Sequence, residues 1–179
     1  MRAPIRHHPG SGMESYAHGN ITEQRPTAQM WTDASYKKGA MGLGIVLLSE
    51  TSTKPLTWVV RCKEAGHDST QAELHALNFA LCQAHKNGHT NIVLHTDASM
   101  AIWHTANKTA LYDVMPALQS ALSKMESVQL CWVARERNEM ANALSRMALS
   151  LPYSYAAGLT VKNTLSKRVD EWTPTFNPS

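Results

Sequence analysis

Hydrophobic and polar positions alternate along the chain in two distinct periods. Ala28–Ser35, Met41–Leu48 and Thr57–Cys62 are short apolar or β-branched runs, and each is read as a strand. The links between them, Lys37-Lys38-Gly39 and Ser52-Thr53-Lys54-Pro55, have turn chemistry, so the three strands are expected to form an antiparallel meander. From Asp68 to Lys86 the period lengthens. Leu74, Leu77, Leu81 and Ala84 recur at spacings of three and four, which makes one buried stripe on a helix. Asp68, Ser69 or Thr70 is placed to cap its start, and Gly88 follows its end. Asn91–Thr96 is then a fourth strand. Asp97–Ala106 and Asp113–Met125 are helical, the second with Pro116 in its first turn. Val128–Val133 is a fifth strand, and Glu136–Leu149 is a closing helix with Ala141, Leu144 and Ala148 on one face.

The order is βββαβααβα. Strand–helix–strand units require parallel pairing with right-handed crossovers, so the pattern predicts an α/β fold with a five-stranded mixed sheet flanked by helices. Residues 27–150 form this domain. Residues 1–26 lack periodicity, and His7-His8-Pro9-Gly10-Ser11-Gly12 reads as a flexible N-terminal lead, with Met13 an alternative start. Residues 151–179 also lose periodicity. This tail is expected to be disordered, to dock on a protein partner or to lead into a further domain.

Composition narrows the setting. The chain of 179 residues suits one domain plus tails. A net charge of +3 permits a polyanionic partner without requiring one. Cys62, Cys82 and Cys131 are far apart and form no Cys-x-x-Cys pair, so they are expected to be free thiols in a reducing, cytoplasmic setting. No apolar run is long enough to span a membrane, and residues 1–20 hold no secretory core.

Acidic residues number only 14, so their positions are informative. Asp33 lies inside the first strand, where Asp is disfavoured. Asp97 ends the fourth strand. Glu73 sits early in the intervening helix, about 100° around from Leu74 and so at the edge of the buried stripe. If the first and fourth strands are neighbours, the three carboxylates converge, and crowded carboxylates need a cation. An all-oxygen set suits Mg²⁺ or Mn²⁺. Each residue also has a plain structural reading. Asp97 would cap the next helix, Glu73 would favour a helix N-terminus, and Asp33 would face water from an edge strand.

Four segments carry a resemblance. They are Trp31-Thr32-Asp33-Ala34-Ser35-Tyr36-Lys37-Lys38-Gly39 with the following Gly42 and Gly44, Ser69-Thr70-Gln71-Ala72-Glu73-Leu74, His95-Thr96-Asp97-Ala98-Ser99, and Trp132 through Arg146. In this order they resemble the type 1 ribonuclease H family, whose fold is ribonuclease H-like. The resemblance spans about residues 29–149. It implies an endoribonuclease that cuts the RNA strand of RNA–DNA hybrids with two Mg²⁺ ions, leaving a 3′-hydroxyl and a 5′-phosphate. Asp33 would bridge both ions, and Glu73 and Asp97 would share their coordination. Ser35, Tyr36, Lys37, Lys38, Thr70, Gln71, Arg135 and Arg137 are the candidates for contacting the hybrid, with ordinary solubilising charge an equal reading of the four basic residues.

The chain departs from the family at Asn142, where a fourth carboxylate is usual. An amide oxygen ligates without charge, so weaker occupancy of one ion and a preference for Mn²⁺ are expected. Glu139, on the same helical face, is a substitute ligand or, more simply, a solvent-facing residue. The segment Ala106–Ala117 holds only Lys108, so the basic loop of some relatives is missing. Trp103 and Tyr36 are candidates for stacking on bases or sugars, with rim packing the plainer reading of Trp103. The nine histidines form no HExxH arrangement, and His67 adjoins the helix that bears Glu73. A non-catalytic module binding nucleic acid or a partner on the same fold is the alternative. Exonucleases of this fold carry Asp-x-Glu in the first strand, where Ser35 stands here, and integrase cores place their Glu on a late helix.

Overall fold

The computed structural model describes residues 6–7, 14–18, 27–37, 39–62 and 68–151. In chain order the strands are β1 (Arg6–His7), β2 (Glu14–His18), β3 (Ala28–Lys37), β4 (Ala40–Ser49), β5 (Leu56–Cys62), β6 (Asn91–Thr96) and β7 (Ser127–Trp132). The helices are α1 (Ser69–Lys86), α2 (Ser99–Asn107), α3 (Met115–Ser123) and α4 (Glu139–Ala148). All strands join one mixed sheet in the order β1-β2-β7-β6-β3-β4-β5. The expected five-stranded ribonuclease H-like sheet is present as the block β7-β6-β3-β4-β5.

Two corrections concern the ends of this plan. Arg6–His7 and Glu14–His18, expected to belong to a flexible lead, form strands. β2 pairs antiparallel with β7, from Ser15↔Cys131 to His18↔Val128. Without it β7 would present an edge of unpaired backbone groups, so pairing is favoured although the segment has little apolar pattern. The closing helix is also shorter than expected. Arg135–Arg137 forms a 3₁₀ turn, and Asn138 then adopts φ −115°, ψ 19° before α4 begins. Lys38, His67 and the tail from residue 152 lie outside the described residues.

The core has a side on each face of the sheet. Strand residues Met30, Leu43, Ile45, Trp58 and Leu94 meet Leu74, Leu77 and Leu81 of α1 and Leu118 of α3. Each such side chain contributes about 1.5–3 kcal/mol when fully buried. On the other face Trp31, Val46 and Val59 pack under Met140, Ala141, Leu144 and Ala148 of α4. Asp68 caps α1, accepting from the N–H of Gln71 at 2.8 Å. Arg61 of β5 donates to the carbonyls of Leu149 and Leu151, which ties down the end of α4.

Helix α4 lies very close to β4 because Gly42 and Gly44 have no side chains. A Cβ on Gly42 would fall 2.1 Å from the carbonyl oxygen of Ser145, and one on Gly44 would fall 2.1 Å from that of Ala141 and 2.5 Å from the Ser145 nitrogen. Two glycines alternating on one strand face therefore set the depth at which α4 sits. This depth brings Ser145 to Asp33, the register partner of Gly44.

Candidate active site

Strands β3 and β6 run parallel, from Ala28↔Ile92 to Trp31↔His95. Carried two residues further, the same register sets Asp33 opposite Asp97, just beyond the carboxyl end of β6. In open α/β sheets this end of the strands is where ligands bind. Asp33 is only 6% exposed. It faces α4, as Trp31 does, because side chains alternate along a strand. Past the end of the β3–β6 ladder, the backbone N–H of Ala34 donates to Glu73, which reaches in from α1.

The plain structural readings do not describe these positions. Asp33 lies in a strand with neighbours on both sides. The residue preceding α2 is Ala98, and no side chain caps that helix. Glu73 lies beyond the first turn of α1, which holds no acidic residue.

Close packing raises the proton affinity of two of the carboxylates. Burial pushes Asp33 up to about 6, and the adjacent Asp97 adds to this, against the opposing effects of the Ser145 hydrogen bond and Arg135. Burial pushes Glu73 up to about 9, and the charges of Asp33 and Asp97 raise it further, against the Ala34 N–H and Arg135. One oxygen of Glu73, Oε2, is buried with no hydrogen-bond partner. An orphaned carboxylate oxygen beside two aspartates fits a hard divalent cation, whose charge would reverse the penalty. Among the described residues, no three His, Cys, Asp or Glu side chains form a ready-made metal cage.

Two further residues hold the aspartates in place. Ser145, wholly buried on α4, donates its hydroxyl proton to Asp33 Oδ2. Asn138, 1% exposed, donates through Nδ2 to the Thr32 carbonyl at 2.8 Å and to Asp97 Oδ1 at 3.2 Å. Both partners are acceptors, so the amino group must face them. Trp132 also donates its indole N–H to the Asp97 carbonyl at 3.2 Å. Sequence reasoning missed both residues. The expected helix Glu136–Leu149 includes Asn138, whereas the structure places it just before α4, where Asn is a frequent anchoring residue. Ser145 is a polar residue on the otherwise apolar stripe of α4, the one local sign of its role.

The remaining expected site residues are dispersed. Asn142 lies on α4, half-buried, and its carbonyl oxygen is 2.8 Å from the Ser145 hydroxyl oxygen. Glu139 is exposed. Ser35 turns inward, its hydroxyl 2.8 Å from that of Ser145. Thr70 hydrogen-bonds Tyr112, and Gln71 is buried. Tyr36, Lys37, Arg135 and Arg137 are exposed, and Arg135 is near enough to act on both Asp33 and Glu73. Trp103 is 48% exposed and meets His104 edge to face.

The family model described as reverse transcriptase-like matches residues 31–148, which contain all four carboxylate-position residues. The chain belongs to this reverse transcriptase-like family. The type 1 ribonuclease H resemblance is thereby borne out. Among solved structures, ribonuclease H1 from the archaeon Halobacterium salinarum NRC-1 is similar at 22% identity, TM-score 0.61, over 69% of this chain and 97% of that one. The N-terminal ribonuclease H domain of a Mycobacterium tuberculosis protein matches at 19% identity, TM-score 0.62, over 69% and 99%. LC11 ribonuclease H1, solved in complex with an RNA/DNA hybrid, matches at 18% identity, TM-score 0.51, over 69% and 99%. At these identities the likeness is one of fold. Sequence comparison with curated proteins finds no match. The three cysteines are unpaired, and no helix among the described residues is long and apolar enough to cross a membrane.

Proposed function

We propose that this protein is an endoribonuclease that hydrolyses the RNA strand of RNA–DNA hybrids, with two divalent ions, Mg²⁺ or Mn²⁺, held by Asp33, Glu73 and Asp97 and more weakly by Asn142. The observation that carries this reading is the convergence of three carboxylates, from β3, α1 and the end of β6, close enough to perturb one another. Such ions, when bound, activate a water and steady the leaving oxygen in phosphodiester cleavage.

The protein's own residues do the positioning. Asn138 fixes one oxygen of Asp97. Preset ligands spare the reorganisation that a flexible site would need. Arg135 stands beside the carboxylates as a cation for the substrate phosphate, and Tyr36, Lys37 and Arg137 offer rim contacts to the backbone. Gln71 is buried, whereas Ser35 and Thr70 are half-buried at the edge of this set. Selection of RNA would rest on the 2′-hydroxyl. The complex of LC11 ribonuclease H1 with an RNA/DNA hybrid supports a hybrid as the substrate class.

Asn142, uncharged where relatives carry a fourth carboxylate, favours a second reading, a non-catalytic module that binds nucleic acid or a partner. A substrate panel separates the two. Labelled hybrid, single-stranded RNA, duplex RNA and duplex DNA are incubated in Mg²⁺ and in Mn²⁺. Cleavage restricted to the RNA of the hybrid is the expected result. Binding of hybrid without cleavage in either metal establishes the second reading.

A further inference from the structure

The proposed function leaves unexplained two hydroxyls that meet under the site. Ser145 is wholly buried, yet its side chain is polar on a stripe where Met140, Ala141, Leu144 and Ala148 are apolar. Its oxygen is within hydrogen-bond distance of three groups: Asp33 Oδ2, Ser35 Oγ at 2.8 Å and the Asn142 carbonyl at 2.8 Å. A hydroxyl has one proton to donate and two lone pairs. A carboxylate is a stronger acceptor than an amide carbonyl, so the Ser145 proton goes to Asp33 when that residue is ionised. The Ser35 hydroxyl then donates to a lone pair of Ser145. The chain of bonds runs Ser35 to Ser145 to Asp33, and it crosses from β3 to α4 and back.

The backbone makes this relay stiff. Gly42 and Gly44 let α4 approach until a Cβ on Gly44 would lie 2.5 Å from the Ser145 nitrogen, so Ser145 is held against the strand that pairs with Asp33. We propose that Ser145, itself oriented by Ser35, is the positioning residue for Asp33, fixing one carboxylate oxygen so that the other is presented to a divalent cation. This rests on the proposed metal-dependent function and adds two residues that the carboxylate set does not include. It also assigns Ser35 an inward role in place of substrate contact.

The test is Mn²⁺ binding to substrate-free protein, followed by electron paramagnetic resonance of free Mn²⁺, for wild type, Asp33→Asn, Ser145→Ala, Ser35→Ala and the double serine variant. Residues that orient a metal ligand typically contribute about 10–100-fold in metal affinity. Ser145→Ala is expected to weaken Mn²⁺ binding about tenfold, and Ser35→Ala less, in the same direction. The double variant is expected to match Ser145→Ala alone, because Ser35 acts through Ser145 and the two effects are coupled. A merely structural hydroxyl would lower the melting temperature and leave the affinity of the folded protein unchanged, and that result overturns the proposal. Should Ser145→Ala not fold, Ser35→Ala decides by the same criterion, since its half-buried side chain lies outside the packed stripe. Wild type that binds no Mn²⁺, or Asp33→Asn that binds as wild type does, overturns the metal reading and this inference with it. Unchanged Mn²⁺ affinity in Ser145→Ala, with binding lost in Asp33→Asn, overturns this inference alone.

Discussion

At the scale of single residues, the site is a set of groups held at a cost. Asp33 and Glu73 bind their protons more tightly in the folded chain than in the unfolded one, chiefly because they are buried. The sign follows from linkage. A raised folded value stabilises fully below the unfolded values of 3.8 and 4.5, and that stability is lost as pH rises through about 6 and about 9. Metal-free protein is therefore expected to lose stability steadily across this window. Glu73→Gln, which removes the group that must take up a proton on folding, is expected to flatten the upper part and to stabilise the chain at pH 8 by about 1–2 kcal/mol. Urea unfolding in a chelator at several pH values measures this, and equal slopes in both proteins would count against the buried-carboxylate account. Asn142 sets a second test. Asn142→Asp adds one formal charge, and is expected to lower the Mg²⁺ concentration for half-maximal cleavage about tenfold and to narrow the preference for Mn²⁺. Identical metal dependence would show that residue 142 is not a ligand. The three carboxylates stood out in the sequence by residue type and spacing, whereas Asn142 entered only through the family resemblance. Asn138 was not legible, and Ser145 showed only as a polar residue on an apolar stripe, since their roles depend on contacts more than 40 residues away in the chain.

At the scale of elements, the site depends on how deeply α4 sits on the sheet. The glycines at 42 and 44 were visible in the sequence as part of the first hairpin motif, but their purpose needs the partner helix. The helical stripes were readable because a 3.6-residue period is a local property. The boundaries were less so. Asn138 interrupts the expected last helix because its amide bonds two strands' worth of acceptors, and no local pattern encodes that. Gly44→Ala forces a methyl group onto the carbonyl of Ala141 and the nitrogen of Ser145. Overpacking of this kind costs about 1–3 kcal/mol, and the shifted helix would carry Ser145 away from Asp33. The expected outcome is a lower melting temperature together with a loss of cleavage larger than the fraction unfolded explains. A stability loss with full activity in the folded protein would uncouple the depth of α4 from the site.

At the scale of the whole molecule, a mixed sheet with α1 and α3 on one face and α4 on the other leaves the carboxyl ends of β6 and β7 open. Asp97 and Arg135 follow those two strands, and α1 brings Glu73 to the same end. This architecture was legible from element order, because right-handed crossovers leave few arrangements for βββαβααβα. The strand β2 was not, because edge pairing uses backbone groups that any sequence carries. The account requires that hydrolysis be done by the carboxylates that this topology gathers. The direct measurement is cleavage of a labelled RNA–DNA hybrid by wild type and by Asp33→Asn, side by side, in Mg²⁺ and in Mn²⁺, with both proteins shown to be folded. The account predicts metal-dependent cutting of the RNA strand by wild type and a loss of at least about 100-fold in Asp33→Asn, on the scale of removing one charge-stabilising group from a catalytic site. Equal cutting by both proteins, or none by wild type with either metal, would contradict it.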